Sequence, residues 1–260
     1  MIQRIALLYC ALAGLVLFTG CSSSYVVAPT GADMSELGMS PAVSPATRRA
    51  QTDSDIARAL SLKPLAQFPT TIAVVRVQKA DESSRKHGVS FGRSSLEPIP
   101  ERTVETDEQL ATLRALPEVR DAARLNRLVL GAARTDRELR AAAAKIHADL
   151  LLVYTINTAV YREDQPEPIN VVHLGLFSTR EYRVESTVTA LLLGTHNGYV
   201  YATAEVIEEQ GITDNAWRNE RQIKQTVEQL EQLAFDELVG SFVSSWPQLV
   251  AAHSGTAVTP

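Results

Sequence analysis

The stretch EYRVESTVTALLLGTHNGYVYATAEVIEE (Glu181–Glu209) decides the fold. In its first half Tyr182, Val184, Val188, Ala190 and Leu192 share one parity, the period of a strand with one buried face. Its second half, from Tyr199, alternates in the same way. Between the halves stands His196-Asn197-Gly198. Asn-Gly between two alternating segments is a strong hairpin signal, because a type I′ turn needs positive φ at both central residues. The stretch therefore reads as an antiparallel hairpin, with His196 in the turn.

Upstream, LLLVYTINTAVY (Leu150–Tyr161) is apolar and β-branched, a third strand, and EDQPEP breaks it. Thr70–Gln78 (TTIAVVRVQ) reads as a buried strand. Two capping boxes, Thr106-Asp107-Glu108-Gln109 and Thr135-Asp136-Arg137-Glu138, each start a helix. The first has Leu110, Leu113 and Leu116 on one face and should stop at Pro117; the second is rich in strong helix formers. Lys79 to about Arg102 reads as a charged, Pro-containing loop. Val119–Leu130 fits either a strand or a helix end. Downstream, Ile223, Val227, Leu230, Ala234, Leu238 and Phe242 recur at three- and four-residue steps, a helix stripe facing a sheet. Pro247 should end that helix. The order β-α-(β)-α-β-β-β-α predicts an α/β (α+β) sandwich: a mixed sheet, helices packed on one face, and a long C-terminal helix.

The chain of 260 residues is 45% hydrophobic and 21% charged, sufficient for one domain or two small ones. Its formal net charge of −5 supplies no basic field for nucleic acid. The N-terminus departs from globular composition. Arg4 precedes an apolar run from Ile5 to Phe18, shorter than the roughly 20 residues that span hydrocarbon. Small residues then precede Cys21, and Ser22-Ser23-Ser24 follow it. This is the layout of a secretory signal peptide. Residues 22 to about 65 are rich in Ser, Pro, Ala, Gly and Thr and read as a tether, with a short helical piece near Asp55–Leu62. The expected organisation is a leader over 1–20, a tether over 21–65, one domain over 66–250, and a disordered tail over 251–260.

Phe18-Thr19-Gly20-Cys21 resembles a bacterial lipobox. The resemblance implies cleavage between Gly20 and Cys21, and diacylglycerol with palmitate-type acyl chains on the Cys21 sulfur. Cys10 would leave with the leader, so the mature chain could form no internal disulfide. Several acyl chains anchor stably, at about 0.8 kcal/mol per buried CH₂. Ser rather than Asp after the cysteine implies the outer membrane, with the domain facing the periplasm.

Three segments, IAVVRVQ, AAAAKIHADLLLVYTINTAVY and LGLFSTREYRVESTVTALLLGTHNGYVYATAEV, together with the closing FDELVGSFVSSWP, resemble the rhombotarget (rhombotail) lipoprotein family over about residues 65–250. That family implies no defined activity. The element order is also similar to the curli-secretion lipoprotein, the TolB amino-terminal domain and penicillin-binding-protein activator lipoproteins, which bind proteins or form rings.

Candidate chemistry is sparse. Gly88-Val89-Ser90-Phe91-Gly92 matches G-x-S-x-G, which needs a strand directly before and a helix directly after the serine. The preceding strand is expected to end near Gln78, and Pro98 and Pro100 follow, so a loop is the expectation. A serine hydrolase using Ser90, with Asp164 and His173, is the alternative function. The five histidines (His87, His147, His173, His196, His253) show no metal-ligand spacing, so no metal is expected and no cofactor. His147 sits at a helix end, where a cation suits the macrodipole. Glu205, Glu208, Glu209 and Asp214 read as a solvated strand end, and Trp217 and Trp246 as packing against the sheet. No catalytic residue is expected. The expected function is that of a non-catalytic, lipid-anchored envelope protein. Its domain would bind an envelope protein partner or another copy of itself, in assembly or secretion.

Overall fold

A computed structural model of the chain describes residues 53–79, 96–99, 106–133, 135–163, 179–215 and 219–254. The elements run α1 (Asp53–Ser61), β1 (Thr70–Lys79), β2 (Leu96–Ile99), α2 (Asp107–Arg114), β3 (Val119–Arg124), α3 (Arg127–Leu130), α4 (Asp136–Lys145), β4 (Leu150–Glu163), β5 (Thr179–Gly194), β6 (Val200–Asn215) and α5 (Asn219–His253). One mixed six-stranded sheet results, ordered β2-β1-β4-β5-β6, with β3 also on β1. The mixed sheet and the long C-terminal helix match the expectation.

β1 lies parallel to β4, with Ile72 opposite Leu150 and Arg76 opposite Tyr154. Its other edge is shared. β3 pairs in parallel along Thr70–Val74, and β2 pairs antiparallel along Arg76–Lys79. β2 corrects the expected loop. Pro98 stands opposite Val77 there, and a strand on the sheet edge tolerates a residue without an N–H. The ambiguous run resolves into β3 and a single turn, α3. Asn126 caps that turn by accepting from the Val129 N–H at 3.1 Å.

Both capping boxes form. Thr106 and Gln109 satisfy each other's backbone N–H at the start of α2, as Thr135 and Glu138 do at α4. The C-terminal end of α4 closes in a Schellman motif. The Ala148 N–H donates to the Ala143 carbonyl at 3.1 Å and the His147 N–H to Ala144 at 3.0 Å. His147 takes the left-handed position with φ of 56°. Backbone geometry, rather than the imidazole charge, thus defines its place.

Two large cores form, one on each side of the sheet. On the first side, Ile72, Val74, Leu150, Leu152, Tyr154 and Leu192 meet α2 and the Phe235–Leu249 part of α5. On the second, Ala73, Val75, Val77, Leu151, Val153, Leu191 and Leu193 meet Leu130, Leu139, Ala142 and Ala143. Helices therefore lie on both faces, not one. The reason is in the residues: IAVV, LLLV and LLL are apolar at both parities, so each run needs cover on two sides.

α5 corrects a second expectation by passing through Pro247 to His253. A proline within a helix removes one hydrogen bond and crowds the preceding turn, costing ~3 kcal/mol. Packing on both sides of the proline outweighs this. Trp246 is fully buried, packs tilted against Phe242 at 5.4 Å, and meets Phe68 edge-on at 6.1 Å. Its Nε1–H donates to the Pro117 carbonyl at 2.7 Å. Leu249 continues the buried stripe beyond. The Gln109 amide, from α2, donates to Asp236 on α5 as well.

Trp246→Ala should lower stability by about 3–5 kcal/mol, measured by urea denaturation. Trp246→Phe should keep most of the packing and cost less than half as much. Equal costs would mean that the indole hydrogen bond, not ring burial, secures the helix end.

Candidate functional site

Three places in the fold concentrate polar or aromatic side chains. The first is where the N-terminal chain reaches the sheet. The β5–β6 connection is longer than a two-residue turn, running Thr195–Tyr199 between the strands. Only Gly198 takes positive φ, 77°. Asn197 instead works through its side chain. Its Oδ1 accepts from the Tyr199 N–H at 3.0 Å, and its Nδ2 donates to the Lys63 carbonyl at 2.8 Å. Three residues after Lys63, the Ala66 N–H donates to the Tyr201 hydroxyl at 2.8 Å.

Tyr199, Tyr201 and His253 form a ring cluster beside these bonds, with centroids 5.0–5.9 Å apart. A Cβ on Gly194 would come within 3.1 Å of the Tyr201 ring, so the residue's smallness allows the close approach. Burial pushes the Tyr201 phenol up from its ordinary value, against the lowering effect of its bonds to Ala66 and Leu65. Burial also holds the His253 imidazole below its ordinary value. Arg140 of α4 braces the turn. Its guanidinium donates to the Thr195 carbonyl at 3.3 Å and to Asp136 at 3.1 Å.

The second place lies beneath α5. Arg76 on β1 pairs with Glu231 on α5 at 3.6 Å, with side-chain exposures of 8% and 20%. The Thr158 hydroxyl donates to Glu231 at 2.9 Å and lies 3.2 Å from the Ser186 hydroxyl. This cluster separates the first core from a smaller one formed by Val184, Ile212 and Leu230. The carboxylate thus joins the guanidinium by an ion pair and the Thr158 hydroxyl by a hydrogen bond. The arrangement sets the position of α5 along the sheet.

The third place is β6. The acidic residues the sequence grouped are divided by the pleat. Glu208 stands opposite Ser186 on the α5 side, while Glu205 and Glu209, opposite Thr189 and Glu185, face away. Glu205 accepts from the Thr189 hydroxyl at 3.5 Å, and Glu209 pairs with Arg183 at 3.5 Å.

Gly20 and Cys21, the Gly88–Gly92 motif with Ser90, and Asp164, His173, His87 and Trp217 lie outside the described residues. His196 is exposed in the turn, 3.9 Å from Asp149. Among the described residues no three His, Cys, Asp or Glu side chains converge on a metal-binding arrangement. No described helix is long and apolar enough to cross a membrane. Sequence reading missed Tyr201, Asn197, Arg76 and Glu231 as a structural set. The one signal was Arg76, a cation inside the apolar run IAVVRVQ.

No family model and no curated protein matches the chain. Solved structures do. The rare lipoprotein B from Shewanella oneidensis is similar at 12% identity, over 69% of this chain and 98% of that one, with a TM-score of 0.36. A minor lipoprotein from Acinetobacter baumannii matches at 9% identity over 69% and 91%, TM-score 0.33. Protein XCC0632 from Xanthomonas campestris, of the DUF330 family model, matches at 14% over 72% and 90%, TM-score 0.30. At these scores the similarity carries no functional argument.

Glu231→Ala should destabilise the domain by about 3–5 kcal/mol, because it removes one partner of a largely buried ion pair. Replacing both residues with Met should recover most of that loss in urea denaturation. A double variant as unstable as the single one would show that the pair contributes more than mutual neutralisation.

His253 gives a pH dependence. Its pKa is lowered in the folded state by burial, so the unfolded chain binds more protons near the ordinary pKa of 6.5. Its contribution is complete above that value and is lost as pH falls from there through the lowered folded value. Wild type should therefore lose more Tm than His253→Phe between pH 7 and pH 5. Equal losses would place the acid sensitivity elsewhere.

Proposed function

We propose that the protein is a lipoprotein of the bacterial envelope, anchored through Cys21. Its α/β domain would act as a non-catalytic binding module for another envelope protein. The observation that carries this reading is the N-terminal series Arg4, the apolar run Ile5–Phe18, and Thr19-Gly20-Cys21 followed by serines. A thiol directly after small residues is the nucleophile that can take a diacylglycerol. Ser22 supports outer-membrane sorting. The segment resemblances quoted above support the finer placement in the rhombotarget lipoprotein family.

The domain geometry agrees with an anchor on this side. From Cys21 to α1 the chain has roughly 30 residues of Ser-, Pro- and Ala-rich composition, a root-mean-square reach of ~30 Å for a flexible chain. It then meets the domain at Lys63–Ala66, on the end formed by the β5–β6 turn and the last turn of α5. That end would face the bilayer, while the opposite ends of β4, β5 and β6 point away from it. A tether of this reach is useful to a domain that must meet a partner.

Intact-mass analysis of the protein from native membranes should show a chain beginning at Cys21 and carrying acyl mass. Cys21→Ser should move it from the membrane to the soluble fraction or leave the leader attached. A membrane-bound Cys21→Ser protein whose leader has been removed would overturn the anchor.

A further inference from the structure

We infer that the outer edge of β6 is a strand-docking site for an extended cationic segment of another protein, with the pattern basic–x–apolar–x–basic. The inference deepens the reading above by naming the surface that a partner would use.

Length comes first. β6 runs Val200–Asn215 and pairs with β5 on one side, while among the described residues no strand pairs with its other side. Strands in globular proteins usually run about 3–10 residues. A sixteen-residue edge offers an unusually long row of outward N–H and C=O groups. Such a row is the template for β-augmentation, in which main-chain bonds supply affinity and alternate side chains supply specificity.

Pleat and charge then choose the occupant. On the face away from α5, Glu205, Ile207 and Glu209 follow one another at every second residue. Ile207 is 57% exposed between the two carboxylates. Directly paired side chains on neighbouring strands stand about 4.5–5.5 Å apart at Cβ. A docked strand would therefore set one residue against each of the three: a cation at Glu205, an apolar side chain at Ile207 and a cation at Glu209. Arg183 already contacts Glu209 at 3.5 Å, but the carboxylate remains 52% exposed and can accept further bonds. β6 carries Glu205, Glu208, Glu209 and Asp214 and no basic residue. The α5 side of the same edge opens on a groove of about 660 Å³ lined by Gln210, Gln225, Glu228, Gln229, Gln232 and Leu233. Its amides suit the polar or small side chains that alternate with the basic and apolar positions.

A second copy of this chain is the wrong occupant for the same reason. Antiparallel pairing of two β6 edges about Ile207 sets Glu205 of each against Glu209 of the other. Like charges directly opposite are destabilising, so the acids guard the edge against self-pairing while favouring a basic strand.

The test uses the full chain in detergent micelles, whatever the state of Cys21, and two fluorescein-labelled peptides, TTTKTVTKTTT and TTTETVTETTT, read by fluorescence anisotropy at low ionic strength. The cationic peptide should bind and should slow amide exchange across residues 203–211. Glu205→Lys with Glu209→Lys should weaken it roughly tenfold or more and let the acidic peptide bind instead. Glu205→Gln with Glu209→Gln, which keeps side-chain size, should weaken it to a smaller degree and covers the case in which charge reversal disturbs the fold. The inference is overturned if neither peptide binds wild type, if binding ignores both double variants, or if exchange slows only elsewhere. It is likewise overturned if light scattering shows a dimer that Ile207→Lys disperses, since a second copy would then hold the edge. None of these readouts depends on the state of Cys21, so failure here is distinct from failure of the anchor.

Discussion

The β1–β4 pair must be dry on both faces, and the rest of the domain answers that requirement. Ile72–Val75 and Leu150–Val153 alternate their side chains into two separate cores. At roughly 25 cal/mol per Å² of apolar surface removed from water, exposing either face would be costly. α5 and α2 close one side, and α4 with α3 closes the other. Farther along, β5 is buried at one parity only, at Val184, Ser186 and Val188. There, among the described residues, a helix covers only the α5 side, while the other side bears Thr187, Thr189, Arg183 and Glu185.

That change along the strands gives the domain two different ends. The end near the β5–β6 turn is fixed: Arg140 braces the turn, Asn197 and Tyr201 bind the incoming chain, and His253 closes the ring cluster. The far end holds α5 by a polar contact. The Arg76–Glu231 pair, with Thr158 and Ser186, sits between the larger core and the small Val184–Ile212–Leu230 core. A buried ion pair is weak evidence of added stability. Its geometric effect is plainer: sliding α5 by one turn would bury a guanidinium against apolar side chains. The helix thus has one position along the sheet, which in turn shapes the groove beside β6.

Much of this was legible in residues close together along the chain. The hairpin alternation, both capping boxes and the helix stripe from Ile223 to Phe242 are local patterns, and each appears in the structure. The runs IAVV, LLLV and LLL, apolar at both parities, already contained the second helical layer. The chemistry of Thr19-Gly20-Cys21 is also a property of adjacent residues and needs no fold to state.

Tertiary structure decided the features whose partners lie far away. β2 exists because β1 has an open edge for Leu96–Ile99 to pair with, and no alternation within those four residues announces it. α5 passes Pro247 because Trp246 reaches Pro117, about 130 residues earlier. Asn197 proved to be a side-chain clasp on Lys63 rather than a left-handed turn residue, since the chain arriving from α1 gives its amide an acceptor. Arg76 and Glu231 find each other across 155 residues, and the acids of β6 separate onto two faces only when the pleat is in place. Local sequence sets which conformations a segment favours, through periodicity, caps and turns. Which of them survives is settled by burial and hydrogen bonds to residues that only folding brings near.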